Sequence, residues 1–396
     1  MPVISSSSLR PEAALTTPPG RSSLRVVAIG GGTGLSTLLR GLRRYAPSPQ
    51  PNEADASPVP SLISDLAAVV TVTDDGGSSG RLRRHFNMLP PGDLRNCMVA
   101  LADDEALLSR LFRHRFSSST AMAANGNGDS EDTASLEGHS FGNLFVAALA
   151  EITGDFAQAI KLSSQVLATR GHIYPATTTN VTLSARMDDG SIVEGETNIT
   201  ASRHRICELT LEPAGAEPLP ETLDSIARAD LITLGPGSLY TSLITNLLVK
   251  GIPEALARAR GLRVFICNLM TQSNESLGLT ASQHIEKIYE HVARKHNGRP
   301  IFDYALVNTA PVSETLLQNY AREGATPILA DIDRIEALGV RVIPGNFAAE
   351  GDTLRHNADR VAETLLHLGL GDANLEALRN VPACPPTPPP VREAAL

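Results

Sequence analysis

A repeated order of apolar run, glycine-rich turn and helix-like stretch constrains the fold of this 396-residue chain more than any other feature. The first example reads LRVVAI from Leu24 to Ile29, and three glycines and a helical pattern from Leu35 to Leu42 follow it. Further apolar runs cover Ala67 to Thr73, Leu231 to Leu234, Arg263 to Leu269 and Tyr304 to Asn308. Apolar strands that alternate with helices are typical of parallel sheets covered on both faces. We therefore predict an α/β fold with a mostly parallel sheet and helices on both of its faces.

One stretch breaks this order. Between residues 180 and 211, runs of alternating apolar and polar residues flank Asp189-Gly190, which is a hairpin-turn signal. This pattern predicts a small antiparallel β element inserted in or beside the main sheet.

Polar or proline-rich segments delimit the part of the chain that we expect to fold. Residues 1–23 and 382–396 lack a hydrophobic period, which predicts a disordered leader and a disordered, proline-rich tail. Two internal stretches, about residues 47–60 and 117–137, are similar in composition and are interpreted as surface insertions. Residues 24–370 then form a single domain.

Charge and composition exclude several classes of function. The 34 basic and 43 acidic side chains give a formal net charge of −9, aromatic residues make up 4%, and tryptophan is absent. Such a chain suits neither a nucleic-acid coat nor a base-stacking platform. Without 18 uninterrupted apolar residues or an apolar signal segment, we expect a cytoplasmic protein with no membrane span. Free, buried thiols without metal-site spacing are expected at Cys97, Cys207, Cys267 and Cys384.

The first candidate site is the turn Gly30-Gly31-Gly32-Thr33-Gly34, between a predicted strand and a predicted helix. Glycines let a ligand approach the backbone closely, and the amides at a helix N-terminus attract phosphate. The turn has neither the full dinucleotide fingerprint nor a Walker lysine. It is therefore either a phosphate or nucleotide contact, or a turn that eases the packing of strand on helix.

The second candidate is TVTDDGGSSGR, from Thr71 to Arg81, which also follows a strand. Adjacent carboxylates such as Asp74 and Asp75 can hold a hard cation such as Mg²⁺ or accept sugar hydroxyls. The glycines and serines can wrap an anion, and Arg81 can add a forked contact to phosphate. The alternative is a tight turn in which Asp74 or Asp75 caps a helix.

Two further turns carry ionisable side chains. Asp93, in PPGDLRN, is predicted to be the N-cap of the helix that follows. A buried pair of Asp93 with Arg95 that positions loops is the alternative to a ligand contact. His139, in GHSFGN, opens an apolar helix and can act as an acid, a base or a phosphate donor, or it can be structural.

The remaining candidates are GPGSLYTS after Leu234, NLMTQ from Asn268, and Arg355 just before the last helix. Four of the glycine-rich or polar turns lie at the carboxyl ends of predicted parallel strands. In an open α/β sheet those ends converge on one crevice. The sequence therefore predicts a polar crevice that holds a sugar nucleotide or another phosphorylated metabolite.

Together these motifs resemble the gluconeogenesis factor family of the YvcK type, within the superfamily of 2-phospho-L-lactate transferase (CofD). The matching stretches are, in order, GGGTGLSTLLRGL, VTDDGGSSGRLR, LPPGDLRNCMVAL, GHSFGNL, EITGDFAQAI, LGPGSLYTS, CNLMTQ and RH. The resemblance implies a Rossmann-like domain that binds UDP-sugars, such as UDP-N-acetylglucosamine, at the sheet crevice. It also implies a role in carbon metabolism, cell shape and cell-wall synthesis, and it allows a homodimer.

The resemblance carries ligand contacts onto residues in each of these turns. They are Gly31, Gly32, Thr33, Gly34, Asp74, Asp75, Gly76, Gly77, Ser78, Ser79, Arg81, Gly92, Asp93, Arg95, Asn96, His139, Asn143, Gly237, Ser238, Asn268 and Arg355. Asp74 and Asp75 are also candidate ligands of Mg²⁺. The chain departs from the family pattern at Ser273-Asn274-Glu275-Ser276, at one edge of the expected pocket.

Two functions are consistent with these residues. The leading hypothesis is a UDP-sugar-binding regulatory protein with no assigned catalysis and no nucleic-acid partner. The alternative is a Mg²⁺-dependent transferase that acts on a nucleotide diphospho-ester. The transferase branch has an SPDLDT-type stretch where this chain reads SSGRLRRHFNMLPPGDLRN, and this difference favours the first hypothesis.

Overall fold

The computed structural model describes residues 22–48, 61–102, 107–117, 136–273, 275–293 and 301–371. The predicted tail and almost all of the predicted leader and insertions lie outside these ranges. Within the described residues, no helix is long and apolar enough to cross a bilayer.

The strands of the described residues are β1 (Leu24–Gly30), β2 (Ile63–Val70), β3 (His172–Pro175), β4 (Thr182–Met187), β5 (Ile192–Glu194), β6 (Ile206–Glu212), β7 (Leu231–Leu234), β8 (Leu262–Ile266), β9 (Tyr304–Asn308), β10 (Arg341–Gly345), β11 (Ala348–Ala349) and β12 (Arg355–His356).

The α-helices are α1 (Gly32–Leu42), α2 (Gly77–Phe86), α3 (Gly92–Leu101), α4 (Leu107–Arg113), α5 (Phe141–Thr153), α6 (Phe156–Val166), α7 (Glu196–Ala201), α8 (Pro220–Arg228), α9 (Thr245–Leu248), α10 (Ile252–Arg258), α11 (Ala281–Ala293), α12 (Glu314–Ala321), α13 (Ile332–Ala337) and α14 (Ala358–Leu370). A π-helical segment, Leu239–Ile244, leads into α9.

The main sheet has seven strands in the order β10-β9-β8-β7-β1-β2-β3, and every adjacent pair is parallel. The order reverses at β1, which pairs with β2 on one side and with β7 on the other. Helices pack around the sheet, with α1 between α3 and α14. The predicted doubly wound α/β fold is therefore confirmed. Its topological switch point lies between β1 and β7, where such sheets bind their ligands.

Two predicted strands end earlier than their apolar runs. β2 ends at Val70 instead of Thr73, and β8 ends at Ile266 instead of Leu269. Residues 71–73 and 267–269 thus leave the sheet as loops at its carboxyl edge. The two edge strands, β3 and β10, are not predicted from the sequence, because both are short and only partly buried.

The predicted antiparallel element is confirmed as a three-stranded sheet in the order β5-β4-β6. It also contains the unpredicted helix α7, between β5 and β6. Among the cysteines, Cys97 and Cys267 are buried as predicted. The prediction is wrong for Cys207, which is exposed on β6, where buried and exposed side chains largely alternate. Cys384 lies outside the described residues.

Candidate functional site

The glycine turns that follow β1 and β7 touch at the switch point. A Cβ atom on Gly34 would overlap the carbonyl oxygen of Pro236, and a Cβ on Gly31 would lie 2.5 Å from Cγ2 of Thr71. Since real Cβ atoms do not approach other atoms this closely, only glycine permits these contacts. The predicted convergence of the turns after β1, β2 and β7 is therefore present in the fold.

The first turn combines a helix N-terminus with a half-buried carboxyl group. Gly32 begins α1 with a φ of +62°, and its amide donates a 2.7 Å hydrogen bond to Oδ2 of Asp93. The following first-turn amides of Thr33 and Gly34 have no intrahelical acceptor and can receive an anion. The first turn of α1 contains no acidic residue, which is favourable for such a ligand.

Asp93 does not cap its own helix, so the N-cap prediction is wrong. Pro91 occupies the N-cap position of α3, and Asp93 lies in the first turn with its carboxyl directed to Gly32. Burial raises the pKa of Asp93 to about 6, and the nearby Asp74 carboxylate adds to the rise. The alternative, a buried pair of Asp93 with Arg95, forms no salt bridge in the described residues, because Asp93 bonds to the backbone of α1 and Arg95 to Asn143.

The carboxylates of Asp74 and Asp75 have different partners. Oδ1 of Asp74 accepts the amide of Gly76 at 3.0 Å, which closes the turn before α2. Oδ1 of Asp75 accepts the amide of Thr197 at 2.8 Å, and also its hydroxyl, at the start of α7. The helix-capping alternative is thus realised by Asp75, but on the inserted element. A magnesium ion bound by both residues would compete with Thr197 for Asp75, and this site remains a prediction.

Glu196 is a carboxyl group of the crevice that the sequence analysis missed. The hydroxyl of Thr73 donates to Oε2 of Glu196 at 3.1 Å. Burial, reinforced by the charges of Asp93 and Asp74, raises the pKa of Glu196 to about 9. At neutral pH this side chain is therefore protonated and can also donate a hydrogen bond. The sequence feature that points to this turn is Gly195, directly before Glu196. Its φ of +87° is one that glycine adopts readily, and it lets the chain turn from β5 into α7.

A polar network holds the start of α2 against the start of α5. Oγ of Ser78 is 3.0 Å from Nδ1 of His139, and it accepts Nδ2 of Asn143 at 3.1 Å. Oδ1 of Asn143 accepts Nε of Arg95 at 3.1 Å. Burial, with the charge of Arg115, lowers the pKa of Arg95 to about 10. Arg95 and Asn143 therefore act as supports of the crevice wall.

Two arginines form a basic rim on this side of the crevice. An Nη atom of Arg81 donates to the carbonyl of Glu137 at 2.7 Å, and one of Arg115 donates to that of Gly138 at 2.9 Å. Burial lowers the pKa of His139, and the charges of Arg81 and Arg115 lower it further. Among the described residues neither arginine has a carboxylate partner in a salt bridge. Arg81 is predicted from its glycine-rich turn, whereas Arg115 is not, because it follows α4 without a glycine turn.

The turn after β7 is fixed by side chains from the neighbouring loop. Asn268 accepts the amide of Gly237 at 3.2 Å and donates to its carbonyl at 2.7 Å. Nε2 of Gln272 donates to Oγ of Ser238 at 3.0 Å. Glu275 accepts the amide of Tyr240 at 3.1 Å, so it caps the π-helical segment.

Asn246 ties this segment to the first turn, because its amide donates to the carbonyl of Gly30 at 3.0 Å. Asn246 is not predicted from the sequence, because it lies in the apolar stretch LITNLL with no turn signal beside it.

The other candidate residues occupy less central positions. Gly92 lies so close to Ser79 and Asp74 that no side chain would fit between α2 and α3. Asn96 is half-buried on α3, and Gly76 and Gly77 begin α2. Arg355 is exposed on β12, next to His356, whose Nε2 is 3.0 Å from the carbonyl of Cys267 beyond β8.

Fold and site together define a doubly wound α/β protein whose switch-point crevice has an acidic floor, Asp74, Asp93 and Glu196, and a basic rim, Arg81 and Arg115. Residues 26–348 match the family model of 2-phospho-L-lactate transferase CofD. The chain belongs to this CofD family.

Relatives within the family are named gluconeogenesis factor. The chain is 45% identical to the gluconeogenesis factor of Halalkalibacterium halodurans over 86% of its own length and 95% of the relative. It is 42% identical to that of Bacillus subtilis, over 87% and 98%. A crystal structure of a protein from Bacillus halodurans shares 44% identity with a TM-score of 0.75, and the match covers 87% of this chain and 99% of that one. The family resemblance predicted from the motifs is thus confirmed.

Proposed function

We propose that the chain is a regulatory protein that binds a nucleotide sugar, such as UDP-N-acetylglucosamine, in the crevice between β1 and β7. The observation that carries this proposal is the contact of two glycine turns, Gly34 against Pro236, between an acidic floor and a basic rim. A nucleotide sugar offers matching chemistry. Its diphosphate suits helix amides and arginines, while its hydroxyl and N–H groups suit carboxyl groups.

The names of the relatives support a role as a gluconeogenesis factor. We extend this role to sensing of carbon metabolism and to cell shape and cell-wall synthesis, as the motif resemblance implies. A ligand in the crevice would contact loops from both halves of the sheet. It would therefore bridge α1, α2 and the π-helical segment. A partner protein that binds these loops would then distinguish the ligand-bound form from the free form.

Thermal unfolding and calorimetry test the proposal. The purified chain is compared with UDP-N-acetylglucosamine, UDP-glucose, UDP, GDP and GTP, each with and without Mg²⁺. A ligand at 100 times its Kd stabilises the folded state by about 2.7 kcal/mol. Saturable binding of a UDP-sugar without a need for Mg²⁺ is the expected result, and its absence for every UDP-sugar would refute the proposal.

Variants of the basic rim connect such binding to the crevice. Arg81→Ala and Arg115→Ala each remove one cation, and each should weaken UDP-sugar binding about 10- to 100-fold, since charged hydrogen bonds contribute about 1.5–3 kcal/mol. Arg186→Ala is the matched control, because Arg186 pairs with Glu208 on the antiparallel sheet. Equal affinities for all three variants would place the ligand elsewhere.

The second candidate function is a Mg²⁺-dependent transferase that acts on a nucleotide diphospho-ester. The observation in its favour is Asp74, whose Oδ2 lies against Gly92 at the crevice floor, together with the name of the matching family model. A bound Mg²⁺ would neutralise the diphosphate, and Asp74 would be its first protein ligand. Stabilisation by GDP or GTP only in the presence of Mg²⁺ would favour this function over the first.

A further inference from the structure

Strand β6 forms one edge of the inserted antiparallel sheet. The order of that sheet is β5-β4-β6, so within the described residues β6 has a partner strand on one side only. It is seven residues long and reads ICELTLE. The other edge strands of the described sheets are very short, or they carry a proline, Pro175 in β3 and Pro344 in β10. Proteins blunt the edges of sheets by short strands and by proline, so β6 is the edge of the described sheets that these two devices leave open.

The hydrogen bonds of β4 show which backbone groups of β6 face away from the sheet. Leu183 accepts the amide of Gly195 at 2.8 Å, so this residue of β4 bonds towards the β5 side. Successive residues of a strand direct their backbone groups to opposite sides, so the next residue, Ser184, bonds towards β6, where it pairs with Thr210. The residues of β6 on either side of Thr210 therefore direct their N–H and C=O groups out of the sheet edge.

These two residues are Leu209 and Leu211, and they are 2% and 5% exposed. Within the described residues, no hydrogen bond from outside the sheet reaches their N–H or C=O groups. Buried backbone groups of proteins are nearly always paired. The edge of β6 therefore favours an occupant that supplies a donor and an acceptor at each of these two positions.

A cavity of about 440 Å³ lies along this edge. Five consecutive residues of β6, from Cys207 to Leu211, line it, together with Leu248 of α9 and Glu290 and His291 of α11. Because successive side chains of a strand lie on opposite faces, a cavity lined by five residues in a row follows the edge of the strand rather than one face. At about 3.4 Å per residue, the lined stretch is about 14 Å long, which suits four or five residues of an extended chain.

The two faces of β6 define the side chains that an added strand would carry. Leu209 and Leu211 lie on the buried face, whereas the opposite face carries Glu208, Thr210 and Glu212. Glu212 is exposed, and among the described residues it has no basic partner. An added strand continues both faces of its sheet. Its side chains would therefore alternate between apolar residues beside the leucines and lysine or arginine beside the glutamates.

We propose that the edge of β6 binds an extended peptide segment of a partner protein, in which apolar residues alternate with lysine or arginine. The segment adds a fourth strand to the inserted sheet. Its main chain bonds to Leu209 and Leu211, and its cations lie beside Glu208 and Glu212. Strand addition of this kind obtains its affinity from main-chain hydrogen bonds and its specificity from alternate side chains. The proposal goes beyond the binding of a nucleotide sugar and does not depend on it.

Fluorescence polarisation with a synthetic probe tests the proposal. The probe is a fluorescein-labelled heptapeptide in which valine alternates with lysine, and the full chain is titrated against it up to about 500 μM. Saturable binding is the expected result. A second probe, with glutamate in place of lysine, should bind about tenfold more weakly, since like charges on neighbouring strands destabilise a sheet. If the lysine probe does not bind, the proposal is wrong.

Charge reversal locates the bound probe on the sheet. Glu212→Lys should weaken binding of the lysine probe and strengthen binding of the glutamate probe, each about threefold or more. Glu194→Lys is the matched control, because Glu194 is exposed on β5, at the opposite edge of the same sheet. This control should bind both probes as the wild type does. Equal effects of the two substitutions would overturn the proposal.

N-methylated probes test the main-chain hydrogen bonds directly. In the extended probe, the valine amides lie along one edge and the lysine amides along the other. Only one edge faces β6, so methylation of one set of amides should abolish binding, and methylation of the other set should leave it close to that of the unmethylated probe. Equal binding of the two methylated probes would contradict strand addition. So would a dimer of the chain that Glu212→Lys disrupts while neither probe binds, because a second copy would then occupy the edge.

Discussion

Replacing Glu196 by glutamine should stabilise the protein, and the gain should grow with pH. Glutamine keeps the size of the side chain and an oxygen that can accept the hydroxyl of Thr73, which donates to Glu196 at 3.1 Å. It removes a carboxyl group that the fold keeps protonated between Asp74 and Asp93. The substitution therefore measures how the carboxyl group of Glu196 changes the free energy of unfolding, while the shape of the side chain stays the same.

The size and sign of the effect follow from the pKa of Glu196. Burial and the neighbouring carboxylates raise this pKa from 4.5 to about 9 in the folded protein. Between these two values the unfolded chain has lost the proton that the folded chain retains, so the stability of the wild type falls as the pH rises. At one pKa unit per about 1.36 kcal/mol, the accumulated loss at pH 7 is about 3 kcal/mol. Glu196→Gln lacks this loss, whereas below pH 4.5 it should match the wild type.

Urea unfolding at pH 5, 7 and 8.5 measures the effect. Glu194→Gln is the matched control, because Glu194 is exposed at the end of β5, two residues before Glu196, and the substitution replaces the same type of side chain. The control should alter stability by less than about 0.5 kcal/mol at every pH. A difference between Glu196→Gln and the wild type that does not change with pH, or that equals the control, would contradict the reasoning.

Three further predictions concern other parts of the site. A Cβ atom on Gly34 or on Gly41 would overlap backbone atoms, so Gly34→Ala and Gly41→Ala should each lower the free energy of unfolding in urea by about 1–3 kcal/mol. Only Gly34→Ala, at the switch point, should also weaken ligand binding in calorimetry. Asp75→Ala should cost about 1 kcal/mol in the same assay by removing the cap of α7, whereas Asp75→Asn, which keeps an acceptor, should cost less. Burial lowers the pKa of His356 to about 4, so the contribution of this side chain to stability should fall as the pH drops from 6.5 towards 4. The difference in the free energy of unfolding between the wild type and His356→Gln should therefore change over this pH range and stay constant above it.

The sequence predicted the centre of the sheet better than its edges. β1 and β7 are almost entirely buried, so they appear in the sequence as continuous apolar runs. β3 reads HIYP, and β10 reads RVIPG with most of its residues only partly buried. An edge strand of this kind is defined by the strand with which it pairs. A local sequence pattern contains no information about that partner.

The same division applies to the crevice. Its turns could be predicted because glycine at the end of a strand is a local signal of close backbone approach, as Gly34 and Gly31 show. The partners of its carboxylates could not be predicted. Asp93 was assigned to the helix that it begins, because an aspartate at a helix start usually accepts an amide of that helix. In the fold Asp93 instead accepts the amide of Gly32, which begins a helix and lies 61 positions earlier in the chain.

Glu196 and Asp75 show why the floor of the crevice had to be seen in three dimensions. Asp75 holds the start of α7, 122 positions later in the chain, and this bond brings the adjacent Glu196 to the floor beside Thr73. The second glycine turn therefore does two things at once. It begins α2, whose first amides have no intrahelical acceptor, and it anchors the inserted antiparallel sheet that supplies the protonated carboxyl group. A change in the inserted sheet should consequently alter the ligand that the crevice selects, even though that sheet lies outside the doubly wound core.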